Sequence, residues 1–496
     1  MDPYLDWLRE AGRAAAGLFT LPYFYIAVLF AWWHARNSVV LQRQMFHVRM
    51  YGSLSLLISR TLAGLGAGLC LSLIGLGAGA QLTNETLLCV WLAMAVLALF
   101  RLRYICLAYA AGALGLVQAV LSWTGWSGDA AGAAGPAIRA LLQIDVPGLL
   151  FLAGLLHVAE GALVRLQGAK QAVPLFLEGK RGKPIGAYSL SGLWPVPLLW
   201  LVPAGGTDGL ALPWTPLFSS SDAAGWSLLA FPVLIGFTDR TKTRWPEDKA
   251  RESGNTLMLY GLAVAVLAAG AAFWEPLAPV AALGAFAMHE GVLLLGRWRE
   301  SGRQPVYAQD GRGLTVLATL PGTPAAEMGL QAGERITRVN GMKVRTKEQL
   351  HDALQLQSAF SKLEVVNREG HVKFVQRARY AGEHYQLGII LAPDEDADVV
   401  AAPRSASIWR GLRQAGARRR RGAEPAHAAR PDEALREASG ASGELAAAAA
   451  GIEAAEPEAG RLAEERAAAS SGLGTSANPA PEEAGLPPRR SRKPLS

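Results

Sequence analysis

Between residues 14 and 296 the chain passes through a series of apolar stretches, most of them near 20 residues long, separated by short polar loops. A run of that length is what a helix needs to cross the hydrocarbon core of a bilayer. Crossing segments are read at 14–33, 54–80, 86–100, 104–123, 145–163, 190–204, 223–238, 255–273 and 276–296. The third and sixth are short, so the expected membrane domain, residues 1–300, has about seven to nine helices. The sixth carries Pro195, Pro197 and Pro203, and a kinked or re-entrant path is open for it.

The basic residues give the orientation. Loops at 34–53, 101–103, 164–189 and 239–254 hold 15 Lys and Arg, whereas the alternate loops at 81–85, 124–144, 205–222 and 274–275 hold only Arg139. Positive charge stays in the cytoplasm, so the basic loops face inward and the last span delivers Arg297, Arg299 and everything after them to the cytoplasm. By the same alternation the N-terminus lies outside, unless its first fifteen residues run along the interface.

Arg60, His157, Glu160, His289 and Glu290 fall within spans, where an ionisable group is costly and is a candidate functional residue. His157 and Glu160 stand one turn apart, and a mutually satisfied pair inside the bundle accounts for them. No internal repeat of the kind that builds transporters is found. Cys70, Cys89 and Cys106 all lie in apolar blocks, which argues against a structural disulfide or a zinc site. No metal or cofactor is expected. The net charge of +7 is spread between membrane segments and comes with no nucleic-acid-binding motif.

After the last span the pattern changes to that of an ordinary globular domain, residues 305–395. An alternating strand at 313–320 leads into Pro321-Gly-Thr-Pro-Ala-Ala-Glu-Met-Gly-Leu-Gln-Ala-Gly-Glu-Arg-Ile-Thr-Arg-Val-Asn-Gly341. This resembles the long PDZ signature of loop, one-turn helix and strand, closed by an Asn-Gly hairpin turn. Thr346 caps a helix that places Leu350 and Leu354 on one face, and strands follow at 362–367 and 371–377. PDZ domains hold a ligand peptide as an added strand, its terminal carboxylate bound by a hydrophobic-Gly-hydrophobic loop. Leu387-Gly388-Ile389 resembles that loop, and by the same resemblance Lys347, His351 and Leu354 form the facing wall. The alternative is that Leu387–Leu391 is only the closing strand of the fold. Because the loop ends the domain instead of opening it, the order resembles a circularly permuted PDZ domain. The fold class is thus a polytopic α-helical membrane domain, a small α+β PDZ-like domain and a disordered tail.

No catalytic frame accompanies these parts. His289-Glu290 is followed by Gly291-Val292-Leu293, so the second histidine of a zinc-protease helix is missing. Ser189 and Ser191 lack a nucleophile-elbow frame, and Gly182-Lys183 lacks the earlier glycine of a phosphate loop. An enzyme is not expected. Residues 396–496 are rich in Ala, Arg, Glu and Pro and read as a solvated tail, whose Arg418–Arg421 cluster suits anionic lipid as an alternative.

The order of parts resembles the MinJ family of Gram-positive bacteria. The residues that carry the likeness are Phe46-His-Val-Arg49, Arg101-Leu-Arg-Tyr104, Glu178-Gly-Lys-Arg-Gly-Lys183, the Trp/Pro-rich stretch from Trp194 to Pro203, and the closing Gln386-Leu-Gly-Ile389. The resemblance covers residues 1–395 and implies a septal and polar membrane adaptor in division-site selection. Such an adaptor joins a DivIVA-like curvature-sensing scaffold to the MinC–MinD inhibitor of FtsZ assembly and touches septal division proteins. Implied partners are that scaffold, a MinD-like ATPase, other division proteins and membrane lipid, with no nucleic acid; self-association is left open. The alternatives are an accessory protein of membrane-associated proteolysis and a transporter with a regulatory PDZ domain.

Overall fold

The computed structural model describes residues 3–127, 132–179, 182–204, 209–218, 225–357, 360–378 and 387–394. The expected tail, with Arg418–Arg421, lies outside the described residues, as do Lys180, Arg181 and Gln386.

The chain begins with α1 (Pro3–Leu18), which turns through 59° into α2 (Pro22–Phe46). Pro22 opens the first turn of α2, where a missing N–H costs nothing, so the break falls inside the stretch expected to cross at 14–33. Helices α3 (Ser53–Ala78), α4 (Asn84–Phe100), α5 (Leu107–Trp123), the short α6 (Gly135–Leu142) and α7 (Val146–Leu163) follow, and α8 (Pro246–Phe273) and α9 (Ala278–Ser301) close the bundle. Among the described residues, α3, α7, α8 and α9 are each long and apolar enough to span alone, and the bent α1–α2 pair makes a fifth candidate. The 17-residue α4 and α5 stand at the lower limit of a crossing.

The sixth and seventh expected helices are not helices. Val173–Glu178 (β1), Pro184–Pro203 (β2) and Trp226–Thr241 (β3) form an antiparallel sheet, with β2 and β3 paired from Tyr188↔Thr241 to Pro203↔Trp226. An apolar run does not by itself distinguish a buried strand from a helix, but the prolines do. Within a helix each would remove a hydrogen bond and clash with the preceding turn; on a strand edge the missing N–H points away from the ladder. Pro195 and Pro197 stand two apart, on the edge of β2 that faces α3.

That edge would be intolerable against lipid, and α3 closes it. A Cβ placed on Gly64 or Gly68 would lie 2.1 or 2.2 Å from the carbonyl oxygens of Pro195 and Pro197, so the helix backbone rests directly on the strand. Leu199 N donates to Ser72 Oγ (2.9 Å), and Leu201 O accepts from Leu82 N (3.1 Å). Because the hairpin leaves and returns, the chain after it emerges on the same side as it would after two helices. The alternation of basic loops therefore survives the correction.

Elsewhere the bundle is closed by small residues, as membrane helices require in the absence of a hydrophobic drive between them. Gly154 and Gly161 of α7 face Gly261 and Gly254 of α8, and a Cβ on Gly161 would stand 2.5 Å from Gly254 O. The intramembrane charges have partners. Arg60 donates to Gln171 Oε1 (2.9 Å) and Ser191 O (3.0 Å), and Arg103 pairs with Glu290 at 2.8 Å.

The domain after α9 contains β4 (Leu314–Thr319), the one-turn α10 (Pro324–Glu327), β5 (Arg335–Val339), β6 (Met342–Lys343), α11 (Lys347–Gln355), β7 (Phe360–Val366), β8 (Val372–Ala378) and β9 (Ile389–Leu391). The sheet order is β8-β7-β5-β4-β9, with β6 on β5, so the closing strand lies beside the opening one. Asn340 and Gly341 both have positive φ (52° and 86°), as a tight hairpin turn demands. Asn340 also locks the domain: its Nδ2 donates to Ala353 O (2.8 Å) and its Oδ1 accepts from Lys362 N (2.9 Å). Leu314, Val316, Ile336, Leu350, Leu354 and Leu363 meet in its core.

Candidate peptide-binding groove

The loop at 387–389 turns the chain into β9. Gly388 has a φ of +77°, and its carbonyl accepts from Leu320 N while that of Leu387 accepts from Ala325 N, both at 2.9 Å. The two carbonyls are thereby fastened to the turn before α10. A Cβ at 388 would lie 2.4 Å from Thr323 Oγ1 and 2.5 Å from its Cβ, so the turn itself requires glycine before any ligand does.

Of the six candidate residues, Leu387, Ile389 and Leu354 come together in one apolar cluster of the PDZ core. Leu387 and Leu354 are buried in it, while Ile389 is half-buried at its margin. Lys347 and His351 lie on the same helix as Leu354, the first exposed and the second half-buried. Lys347 Nζ reaches Asp394 Oδ2 at 2.9 Å, and this ion pair joins the start of α11 to the residues just beyond β9. Gln355 lies 2.7 Å from His351 Nε2, which places a polar pair along the exposed side of the helix. Thr346 accepts from Gln349 N as the helix cap and also holds the exposed Glu348 carboxyl below its ordinary range.

The other face of β9 is occupied. Ile390, with Leu317 and Ala318 of β4, packs against Tyr188 and Leu190 at the foot of β2, Ala172, Ala250 and Tyr307. Gly186 N donates to Tyr307 O at 2.9 Å, and the Tyr188 hydroxyl donates to Leu317 O. Trp245, just before α8, stacks edge-on against Tyr307 with centroids 5.4 Å apart. Gly333 fits against the same indole, where a Cβ would come within 1.9 Å. Burial pushes the Tyr188 and Tyr307 phenols up from their ordinary value. The sheet that carries the candidate loop at 387–389 is thus seated on the membrane domain, not suspended from a loose tether.

Comparison with known proteins agrees with this architecture. A PDZ domain family model matches residues 315–368. The cell division topological determinant MinJ of Bacillus subtilis (strain 168) is 31% identical, with the alignment covering 80% of this chain and 99% of that protein. The chain belongs to the MinJ family. A probable MinJ from Lacticaseibacillus paracasei is 27% identical over 52% of this chain and 69% of its own length. The family is one of cell division topological determinants, and this member combines a membrane domain with a PDZ domain, a module built for interaction.

The sequence singles out Leu387, Gly388, Ile389, Lys347, His351 and Leu354 as the candidate groove but carries no mark of the seat beneath the sheet. Tyr188, Trp245, Tyr307 and Arg368, whose guanidinium lies over the Trp245 ring, are distant in sequence and share no local motif. The one available signal was their type: aromatic residues and an arginine beside basic loops, where solvated polar residues are the rule.

Proposed function

We propose that this chain is a membrane-anchored adaptor in division-site selection, an interaction protein and not an enzyme. In this reading it gathers at septa and poles and joins a DivIVA-like scaffold to a MinD-like ATPase and other division proteins. The observation that supports it most is family membership along nearly the whole length of the Bacillus subtilis relative, combined with a PDZ sheet seated on the membrane domain. An adaptor needs an anchor and a docking surface held in fixed relation, and the seat at Tyr188 and Tyr307 gives that relation. The basic loops, the PDZ domain and the C-terminus face the cytoplasm in this proposal, and the groove between α11 and the 387–389 loop is the peptide site.

The decisive experiment places a fluorescent fusion of the full chain in its native host, with the endogenous copy deleted. The expected result is accumulation at septa and poles, restored cell length, and co-purification of the scaffold and the ATPase. An even membrane distribution with normal cell length in the deletion strain would defeat the reading.

A further inference from the structure

Cys106, His157 and His289 belong to α5, α7 and α9 and span 183 residues of sequence, yet the fold brings one ligand atom of each to within 4.8 Å of the others. We propose that they form a zinc site inside the membrane bundle, with Glu160 as the fourth ligand. This goes beyond the adaptor reading and does not depend on it. It also reverses the sequence expectation that cysteines dispersed in apolar blocks bind no metal.

Cys106 sits at the N-cap of α5, His157 in the last two turns of α7, and His289 midway along α9. Cys106 Sγ is 3.4 Å from His157 Nε2 and 3.9 Å from His289 Nε2. Tetrahedral zinc, with bonds of about 2.3 Å to sulfur and 2.0–2.1 Å to nitrogen, sets its ligand atoms about 3.3–3.6 Å apart. The sulfur already stands near the tetrahedral spacing from both imidazole nitrogens, and all three atoms lie within 4.8 Å of one another, so a contraction of at most about 1.5 Å in any one separation admits the ion. Glu160 Oε2 stands 3.8 Å from His157 Nε2, one helical turn along the same face.

The surroundings prepare the ligands. His157 Nδ1 lies 2.7 Å from Ala153 O, a contact that requires the Nδ1 proton and leaves Nε2 as a bare lone pair aimed at the cysteine. Such a second contact is the usual means of fixing the tautomer of a metal-bound imidazole. Tyr109 and Tyr260 pack edge-on against His289, with centroids 4.5 and 5.3 Å apart, and hold its ring in place. His289 Nδ1 is buried without a hydrogen-bond partner among the described residues, so nothing else in the bundle claims that ring. Charge favours zinc as well. Binding releases the Cys106 thiol proton, and one thiolate, one carboxylate and Zn²⁺ sum to zero inside a low-dielectric bundle. Glu290, next to His289, takes no part, because Arg103 and Tyr109 both hold it at 2.8 Å.

The test uses the full chain in detergent, purified through a tag without histidine, with Cys70→Ala and Cys89→Ala so that Cys106 is the sole thiol. Zinc chloride should load one ion per chain that survives gel filtration and protects Cys106 from maleimide. Cobalt in its place should give a thiolate-to-metal charge-transfer band in the near ultraviolet. Cys106→Ser should abolish the band and weaken zinc by more than the roughly 10–100-fold lost with a second-shell partner. Thiol protection needs no ligand variant, so it decides the matter even if Cys106→Ser fails to fold. Labelling unchanged by zinc, stoichiometry far below one, or a cobalt spectrum without the thiolate band would overturn the site. Preferential retention of copper with intense visible colour would overturn the assignment to zinc.

Discussion

The guanidinium of Arg368 lies over the indole of Trp245, its central carbon 4.5 Å from the ring centroid, and this contact joins the PDZ domain to the membrane domain. Arg368 also donates to Ala332 O at 2.8 Å and stands 3.7 Å from a Glu247 carboxylate oxygen. A stacked, partly desolvated cation of this kind contributes about 1–2 kcal/mol. Arg368→Ala or Trp245→Ala should therefore loosen the seat without unfolding the PDZ core. Hydrogen exchange on the full chain in detergent should show faster exchange in β4 and β9 and unchanged exchange in β7. Arg368→Lys should behave like the alanine variant, because an ammonium does not stack as a guanidinium does. Exchange in β4 and β9 unchanged from that of the unsubstituted chain in all three variants would remove Arg368 from the seat.

Gly388→Ala should destabilise the PDZ domain. The left-handed backbone costs about 1–2 kcal/mol for an L-residue, and contact with Thr323 adds to that. Lys347→Ala should change stability by no more than about 1 kcal/mol, since its pair with Asp394 is solvent-exposed. If the groove binds peptide, Lys347→Ala and His351→Ala should alter partner capture while thermal stability holds. Gly388→Ala should lose stability and capture together.

The glycines of α3 provide a matched comparison. Gly64→Val drives a side chain into the Pro195 carbonyl and should sharply reduce the amount of folded protein in membranes, whereas Gly66→Val meets nothing within 4 Å and should be silent. Ser72→Ala removes the acceptor for Leu199 N and should cost about 1–3 kcal/mol, read as a lower aggregation temperature in detergent.

The seat should also respond to alkali. Tyr188 and Tyr307 are buried as neutral phenols with pKa values raised by desolvation. The separated state exposes them with ordinary values near 10, so above about pH 10 it loses protons that the seated state keeps. Docking is then fully stable below that pH and weakens as pH rises beyond it. Phenolate absorbance and tryptic cleavage between Arg303 and Arg312 should rise together above about pH 10. Cleavage that rises well below that point would assign the release to other groups.

Orientation has its own check. A reporter joined after Arg299 should register as cytoplasmic and one inserted at Gly206 as external, in keeping with the alternation of basic loops. The opposite pattern would invert the proposed topology.

The PDZ domain was legible in the sequence because its turns dictate residue types. Asn340-Gly341 can adopt two successive positive φ values, and Thr346 can cap a helix, so both leave a local mark. The hairpin was not legible as strands because length and apolarity are the same for a buried strand and a short span. Only the two-residue spacing of Pro195 and Pro197 separates them, and by itself that spacing also fits a kinked or re-entrant span. The meeting of Cys106 with His157 and His289, and the PDZ seat, leave no mark in the sequence for a different reason. Each depends on residues more than 50 positions apart that only the assembled bundle brings together.

The long strand β2 ties the PDZ seat to the N-terminal helix mechanically. Its 20 residues extend for about 65 Å, well beyond a hydrocarbon core of about 30 Å. At one end Tyr188 holds the PDZ sheet, and at the other Leu201 packs with Trp226 against Trp7, Ala11 and Ala14 of α1. No loop interrupts the strand between them, so it acts as a strut. A pull on the PDZ domain along that axis reaches the N-terminal helix as displacement, with no hinge in the strand to absorb it.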